Sequence, residues 1–415
     1  MKKLEKGGVT GKVNSHMTHA EDLVIVGGSS GLDWVIKMMT NLYEDLKGFT
    51  PKEEIILSVK IDGAPAIFAW SEFPGIPSAG IATKGLFAKK PKTMLNEKDI
   101  DMYYGDKPQL AYKLLSFFKY LKSIKIPIGE IWQGDFLFDD KSLQETEIDG
   151  DPYYAFHPNT IYYLVSKKSD LGKEIKKADV GVVWHTIYTG DDLNSVEASY
   201  NASAKKLKPT PKVFMTDPYI KSLAGKINFT EEESESIDSK LSIISRNAEI
   251  LKSNVNEYNE IINNKDLVSI FSIFWNSLIR EESYIKSTDE FLMGLIGFIQ
   301  NRFLKESDKR KTEVGKKNII KKGEDIILFI DDHKDILEIM VATILEIVEL
   351  KEKLLNKLNQ VGRFKTYLKM KEGGTRKTGQ EGFAVSDINS NVVKLVDRKE
   401  FSWSNFSPDV LKGWS

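Results

Sequence analysis

The stretch "LSVKIDGAPAIFAW", residues 57–70, is two short apolar runs broken at Asp62-Gly63, with Lys60 closing the first. Ile55-Ile56-Leu57-Ser58-Val59 has the bulk and β-branching that suit a strand, and the second run suits another. An Asp-Gly step between such runs predicts a β-hairpin. On that ground alone Lys60 is an edge lysine pointing into solvent, a common way to blunt a sheet edge.

Outward from this stretch the texture of the chain changes three times. Residues 1–50 form a preface in which Leu32, Val35, Ile36, Met39, Leu42, Tyr43 and Leu46 fall at helical spacing, stopped by Gly48. Residues 51–216 carry short β-like runs, among them "EIILSVK", "PAIFAW", "AGIATKG", "GEIWQGDFLF", "NTIYYLV" and "VGVVWHTIY", with one helix, "QLAYKLLSFFKYLKSI", between them. Without regular helical crossovers these predict an α+β fold on an antiparallel sheet. Residues 217–361 read as helical, and a last helix is expected over 324–361, with Ile330, Leu337, Ile344 and Leu358 on a seven-residue spacing. Lys351 falls in that apolar seam, which favours a helical hairpin or small bundle over an intermolecular coiled coil. Over 362–415 the β texture returns in "RFKTYLKM", "EGFAVSD" and "NVVKLVDRKEFSW", as if one sheet domain were interrupted by an insertion.

Composition narrows the function classes. The 59 basic and 60 acidic side chains nearly cancel, so an anion-binding surface has to come from local clustering. The absence of cysteine excludes disulfides, thiolate metal sites and cysteine nucleophiles, and suits a reducing cytosol. No apolar run reaches the roughly 18 residues of a membrane span. A cytoplasmic location is expected, with no membrane partner and a monomer favoured.

Lys60 also has a chemical reading. A lysine amine with a lowered pKa is a nucleophile, and its attack on the α-phosphorus of a nucleotide gives a phosphoramidate. Pieces such chemistry needs follow in order. In "IATKGLF", Lys84 offers a cation to phosphate; in "IWQGDFLF", Asp135 ends a buried run and could bind a ribose hydroxyl. In "QEGFAV", Glu381 is a carboxylate suited to Mg²⁺, and in "NVVKLVDRKEF", Lys394 could neutralise charge developing on phosphate.

Lys60-Ile61-Asp62-Gly63 and these pieces resemble motifs I, Ia, III, IV and V of the covalent nucleotidyltransferase superfamily of ATP-dependent DNA ligases, RNA ligases and mRNA capping enzymes. "ATKG" and "AFHPNTIYYLV" are most similar to phage-type RNA ligases, over about residues 53–200 and 363–400. The resemblance implies an ATP-grasp-like nucleotidyltransferase core, here read with a helical preface and a helical insertion, and departing from ordinary DNA ligases and capping enzymes in having no C-terminal OB domain. It implies ATP and Mg²⁺ as cofactors, nucleic acid ends or nicks as partner, and the host cytoplasm if the chain is phage-encoded. Lys60, Lys394 and Glu381 would be catalytic, and Glu381 and Asp135 would hold the metal. Asp62, Lys84, Asp135 and Arg398 would contact nucleotide, and Tyr162, Tyr163 or Trp184 would stack on adenine. The implied activity is sealing of 5′-phosphate and 3′-hydroxyl ends, RNA favoured and nicked DNA open. A non-catalytic binding protein of this fold, or a transferase acting on an RNA end or a protein, are the alternatives. The chain departs from the family pattern in Asp135 where glutamate is usual, and in Val396 where a second lysine is usual, leaving Arg398 or Lys399 as substitutes.

Other patterns have plainer readings. "VGGSSGL" at 26–32 lacks a phosphate-loop ending and reads as a turn into a helix. Thr18 and Glu21 fit a capping box, which gives "HMTHAED", with His16 and His19, a structural or substrate-orienting role. His157 and His185 read as packed, and His333 as solvated. The lysines over 309–322 are the preferred candidate for a phosphate track.

Overall fold

The two apolar runs of residues 57–70 do not pair with each other. In the computed structural model, which describes residues 17–49, 55–76, 78–200, 202–220, 227–281, 283, 287–387 and 391–413, they belong to different sheets. The chain starts with β1 (Thr18–His19), α1 (Leu23–Val26) and α2 (Gly28–Leu46). Next come β2 (Ile55–Lys60), β3 (Ala66–Trp70), β4 (Gly80–Ala82), α3 (Glu97–Tyr104), α4 (Pro108–Phe118) and α5 (Leu121–Ile124). Then follow β5 (Glu130–Asp139), β6 (Gln144–Ile148), β7 (Asp151–Phe156), β8 (Tyr162–Ser166), α6 (Asp170–Ile175) and β9 (Val180–Thr189). After β10 (Glu197–Ser199), β11 (Val213–Thr216) and β12 (Tyr219–Ile220) stands the helical block. It comprises α7 (Glu231–Ser253), α8 (Val255–Asn263), α9 (Lys265–Arg280), α10 (Thr288–Asp308), α11 (Glu313–Asp332) and α12 (Lys334–Leu358). The chain closes with β13 (Lys365–Lys369), β14 (Thr375–Lys377), β15 (Gly382–Asp387), β16 (Val392–Leu395) and α13 (Arg398–Phe406).

The fold is mixed α and β on three largely antiparallel sheets. The first runs β1-β16-β15-β2-β12, the second β10-β9-β5-β3-β4 with β11 beside β9, and the third β14-β13-β8-β7-β6. Strands made after the helical block complete sheets begun before it: β15 pairs with β2, and β13 with β8. The hairpin expectation fails because residues 61–65 cross from the first sheet to the second, through a cis Ala64–Pro65 peptide. Gly63 permits the crossing: a Cβ there would lie 2.5 Å from Asp135 Cβ and 2.9 Å from the Phe136 carbonyl.

One large core joins α1, α2, the helical block and the inner faces of the first and third sheets. A second core lies between the second sheet and α3–α5, with Trp70, Trp132 and Trp184 fully buried. The single helix expected over 324–361 is two helices, broken at His333. His333 stacks on Phe329, donates from Nδ1 to the Phe329 carbonyl 2.9 Å away, and meets Glu260, so it is held rather than solvated. The apolar spacing survives the break, and Ile330, Leu337, Ile344, Leu354 and Leu358 are all buried. The second half of "NVVKLVDRKEFSW" is helix, because Asp397 caps α13 by accepting from the amides of Lys399 and Glu400. The Thr18–Glu21 capping box does not form: Thr18 lies in β1, and Glu21 serves a buried ion pair with Lys351 at 2.7 Å. His16 lies outside the described residues, among which no helix is long and apolar enough to cross a membrane.

Candidate functional site

Side-chain alternation on the first sheet fixes what faces the cleft. Leu57 and Val59 point into the large core, so Ser58 and Lys60 point the other way. Register then puts Gly382 opposite Lys60, and Ala384 opposite both Ser58 and Lys394. Lys60 and Lys394 therefore share one face. Glu381, just ahead of β15, forms an ion pair with Lys60 across 321 residues of chain. The Lys60 side chain is 33% exposed and that of Glu381 8%, so the lysine side chain is partly open while its partner is buried.

Charges in the cleft act on one another. Burial pushes the Glu381 carboxyl up to about 7; Lys60 opposes the shift, and Asp62 and Asp135 add to it. Burial disfavours the Lys60 ammonium, but Glu381 outweighs it, with help from Asp62 and Asp135, so the amine is held charged. This reverses the lowered pKa the sequence reading expects of a nucleophilic lysine. Lys394 is lowered, by burial and then by the Lys60 charge. Glu381 Oε2 is buried without a hydrogen-bond partner among the described residues.

Asp135 is on β5, opposite Ala66, and its Oδ2 lies 3.4 Å from His185 Nε2 on β9. His185 was expected to be packed; it is instead the partner that holds Asp135, with its Nδ1 2.7 Å from Thr186 Oγ1. Lys84 is exposed on a turn just past β4, at the end of the second sheet where Ala66 faces Asp135.

Several residues expected at the site are committed elsewhere. The buried Asp62 carboxylate accepts from the amides of Thr160 (2.7 Å) and Ile161 (3.0 Å) and from Asn159, so it ties the crossing to the third sheet. The Asp62 amide donates to Tyr163 Oη at 2.6 Å. Tyr163 therefore lies on the core side of β8, fully buried against Phe156 and Phe364 with no face open to adenine, and Tyr162, its neighbour in β8, faces away. Trp184 is fully buried, edge-on to Phe117 and Trp132, with no face open to adenine. Arg398 donates to Glu21 (3.3 Å), Asp22 (2.8 Å) and Asn276 (2.6 Å), away from the cleft. Val396, opposite Gly382, is buried and presents a methyl where the resemblance implies a second cation.

No group of three or more histidine or acidic side chains stands ready to hold a metal among the described residues. Asp135 and the unpartnered Oε2 of Glu381 fit the looser demand of Mg²⁺, which takes one or two carboxylates and keeps its waters. Beside Glu381 opens a pocket lined by Thr378, Gln380, Asp397, Glu400 and Asn405. Sequence reasoning missed Gln380, whose Oε1 is also buried and unpartnered, because nothing in "GQEG" separates it from a loop residue.

The arrangement is that of an α+β protein with a lysine and carboxylate cleft between two sheets. The chain belongs to DUF6267, a family of unknown function whose profile matches residues 14–409. No curated protein and no solved structure matches it.

Proposed function

We propose that the chain is an ATP-dependent polynucleotide ligase working through Lys60. One observation carries the reading: a strand-end lysine meets Glu381 from 321 residues away, with Asp135 close enough to shift both, in the chain order the motif resemblance implies. In the first step Lys60 Nζ bonds to the α-phosphorus of ATP and the bond to the β-phosphate oxygen breaks, so pyrophosphate leaves with the electron pair. The Lys60 ammonium must first lose a proton, and Glu381, held near 7, is the acceptor in contact with it. Mg²⁺ held by Asp135, and by Glu381 once that proton has passed on to solvent, would supply positive charge to the phosphates. Lys394 and Lys84 add cations on the chain's own account. AMP then passes to a 5′-phosphate, and a 3′-hydroxyl displaces it.

A second reading, a transferase that stops before sealing, is favoured by Val396 and by Arg398, whose guanidinium is engaged by Glu21, Asp22 and Asn276. Both readings are tested by incubating protein, first stripped of AMP with pyrophosphate, with α-labelled ATP and Mg²⁺. An acid-labile protein label that Lys60→Ala abolishes is expected, and an unlabelled wild type would overturn both. Joining of a nicked RNA or DNA by the labelled protein separates them.

A further inference from the structure

Among the described residues, no helix contributes to the apolar cluster on the outer face of the third sheet. That small cluster of Tyr153, Ala155, Tyr162 and Leu164, with Ile148 and Tyr367 against it, draws only on β6, β7, β8 and β13. What roofs the tyrosines is lysine. Lys365 Nζ lies 4.8 Å from the centre of the Tyr153 ring and Lys369 Nζ 4.2 Å from that of Tyr162. Lys377 faces the same way, because it stands opposite Tyr367, which stands opposite Tyr162.

Alternation clears this face of most negative charge. Glu145 and Glu147 on β6 point to the other side, as the partners Tyr154 and Pro152 do. Asp151 shares the face, at its margin, and is paired with Lys168 at 3.1 Å. Two lysines over Tyr153 and Tyr162, with Lys377 across the strand pair from Tyr367, thus make a basic, aromatic sheet face. Tyr153 and Tyr162 are buried beneath those ammonium groups, whereas Tyr367 is half-buried and offers its ring to a nucleobase with lysines beside it for the phosphates.

We infer that this face binds single-stranded nucleic acid, with a base on the half-buried Tyr367 and backbone on Lys365, Lys369 and Lys377. The inference deepens the ligase reading, from which its polynucleotide comes, but it rests on a different face and its assay needs no ATP. Because Tyr163 touches Asp62 and Tyr162 lies on the reverse, the platform holds the strand away from Lys60. It contributes affinity and leaves the chemistry untouched.

The test is fluorescence anisotropy with end-labelled oligouridylate and oligothymidylate of about 12 nucleotides, without ATP, over a series of salt concentrations. The expected result is binding that K365E/K369E/K377E weakens at least tenfold, with a salt slope flatter by about 2, from ~0.7 per lost single-strand phosphate contact. Tyr367→Ala should weaken binding by roughly tenfold, the loss of one stacked base. ATP labelling of Lys60 should be unchanged in the triple variant, which also shows that it folds. Wild-type protein that binds neither oligonucleotide overturns the inference. So does a triple variant that binds like wild type while K309E/K311E, on the helical block, does not. Loss of labelling in wild type together with retained binding would overturn the ligase reading and leave the platform standing.

Discussion

Two lysine and glutamate pairs in this molecule have opposite electrostatics. Lys351 and Glu21 are 2% and 1% exposed, deep between α12 and the turn after β1. Burial pushes Glu21 up, but Lys351, His19 and Arg398 outweigh it and hold the carboxyl down at about 2. Lys60 and Glu381 are paired just as directly, yet burial and two neighbouring carboxylates leave Glu381 at about 7. The difference is the company each pair keeps. Glu21 has two strong cations and sits at a structural joint, whereas Glu381 has one cation in direct contact and shares it with Asp62 and Asp135. A buried carboxylate balanced by excess positive charge is locked; one short of positive charge is free to take a proton or a ligand.

The contrast breaks most visibly at Lys351. Lys351→Met strands Glu21 with only part of its compensation and should cost about 3–5 kcal/mol in urea unfolding. A loss below about 1 kcal/mol would show that the joint is not locked. Glu381→Gln tests the other pair through pH. With its folded pKa above its unfolded one, native Glu381 binds a proton where the unfolded chain does not, so wild-type stability falls as pH rises from about 4.5 to about 7. The variant lacks that falling limb. Its unfolding midpoint should match wild type near pH 4 and exceed it at pH 8, by no more than about 3 kcal/mol. Glu21 has the reverse sign: its stabilisation is present above about 4.5 and is lost as pH falls through about 2. Asp62→Asn keeps the shape and weakens charge-assisted bonds to two amides, and should cost about 2 kcal/mol. The smallest effect is expected at Lys60, where Lys60→Met should change stability by less than about 1 kcal/mol while abolishing ATP labelling. A large loss there would make Lys60 a structural partner like Lys351.

How far the sequence reaches can be seen residue by residue. The strand ending at Lys60, the Gly134-Asp135 strand and the return of β structure after residue 362 were all legible, because apolar runs and glycines mark them locally. The convergence of Lys60, Asp135, Glu381 and Lys394 could be anticipated only from motif order. Which of Tyr162 and Tyr163 turns to the core depended on a single-residue parity, which needs a contact such as that of Tyr163 with Asp62. Trp184 and Arg398 looked available because sequence carries no burial. Glu21 and Lys351 were read as a capping residue and a seam defect, since their pairing spans 330 residues.

The pairing of β2 with β15 also has a consequence in time. Val59 and Lys60 leave the ribosome long before Phe383 and Gly382 exist to pair with them. At ~5–20 residues per second the 321 residues from Lys60 to Glu381 take roughly 16–64 s to translate. For that interval one edge of β2 is an open template for a foreign strand. A message cut short before codon 382 would yield a sticky fragment without a cleft, so the cell's exposure to this protein's misfolding is set by how faithfully the codons of β15 are reached and read.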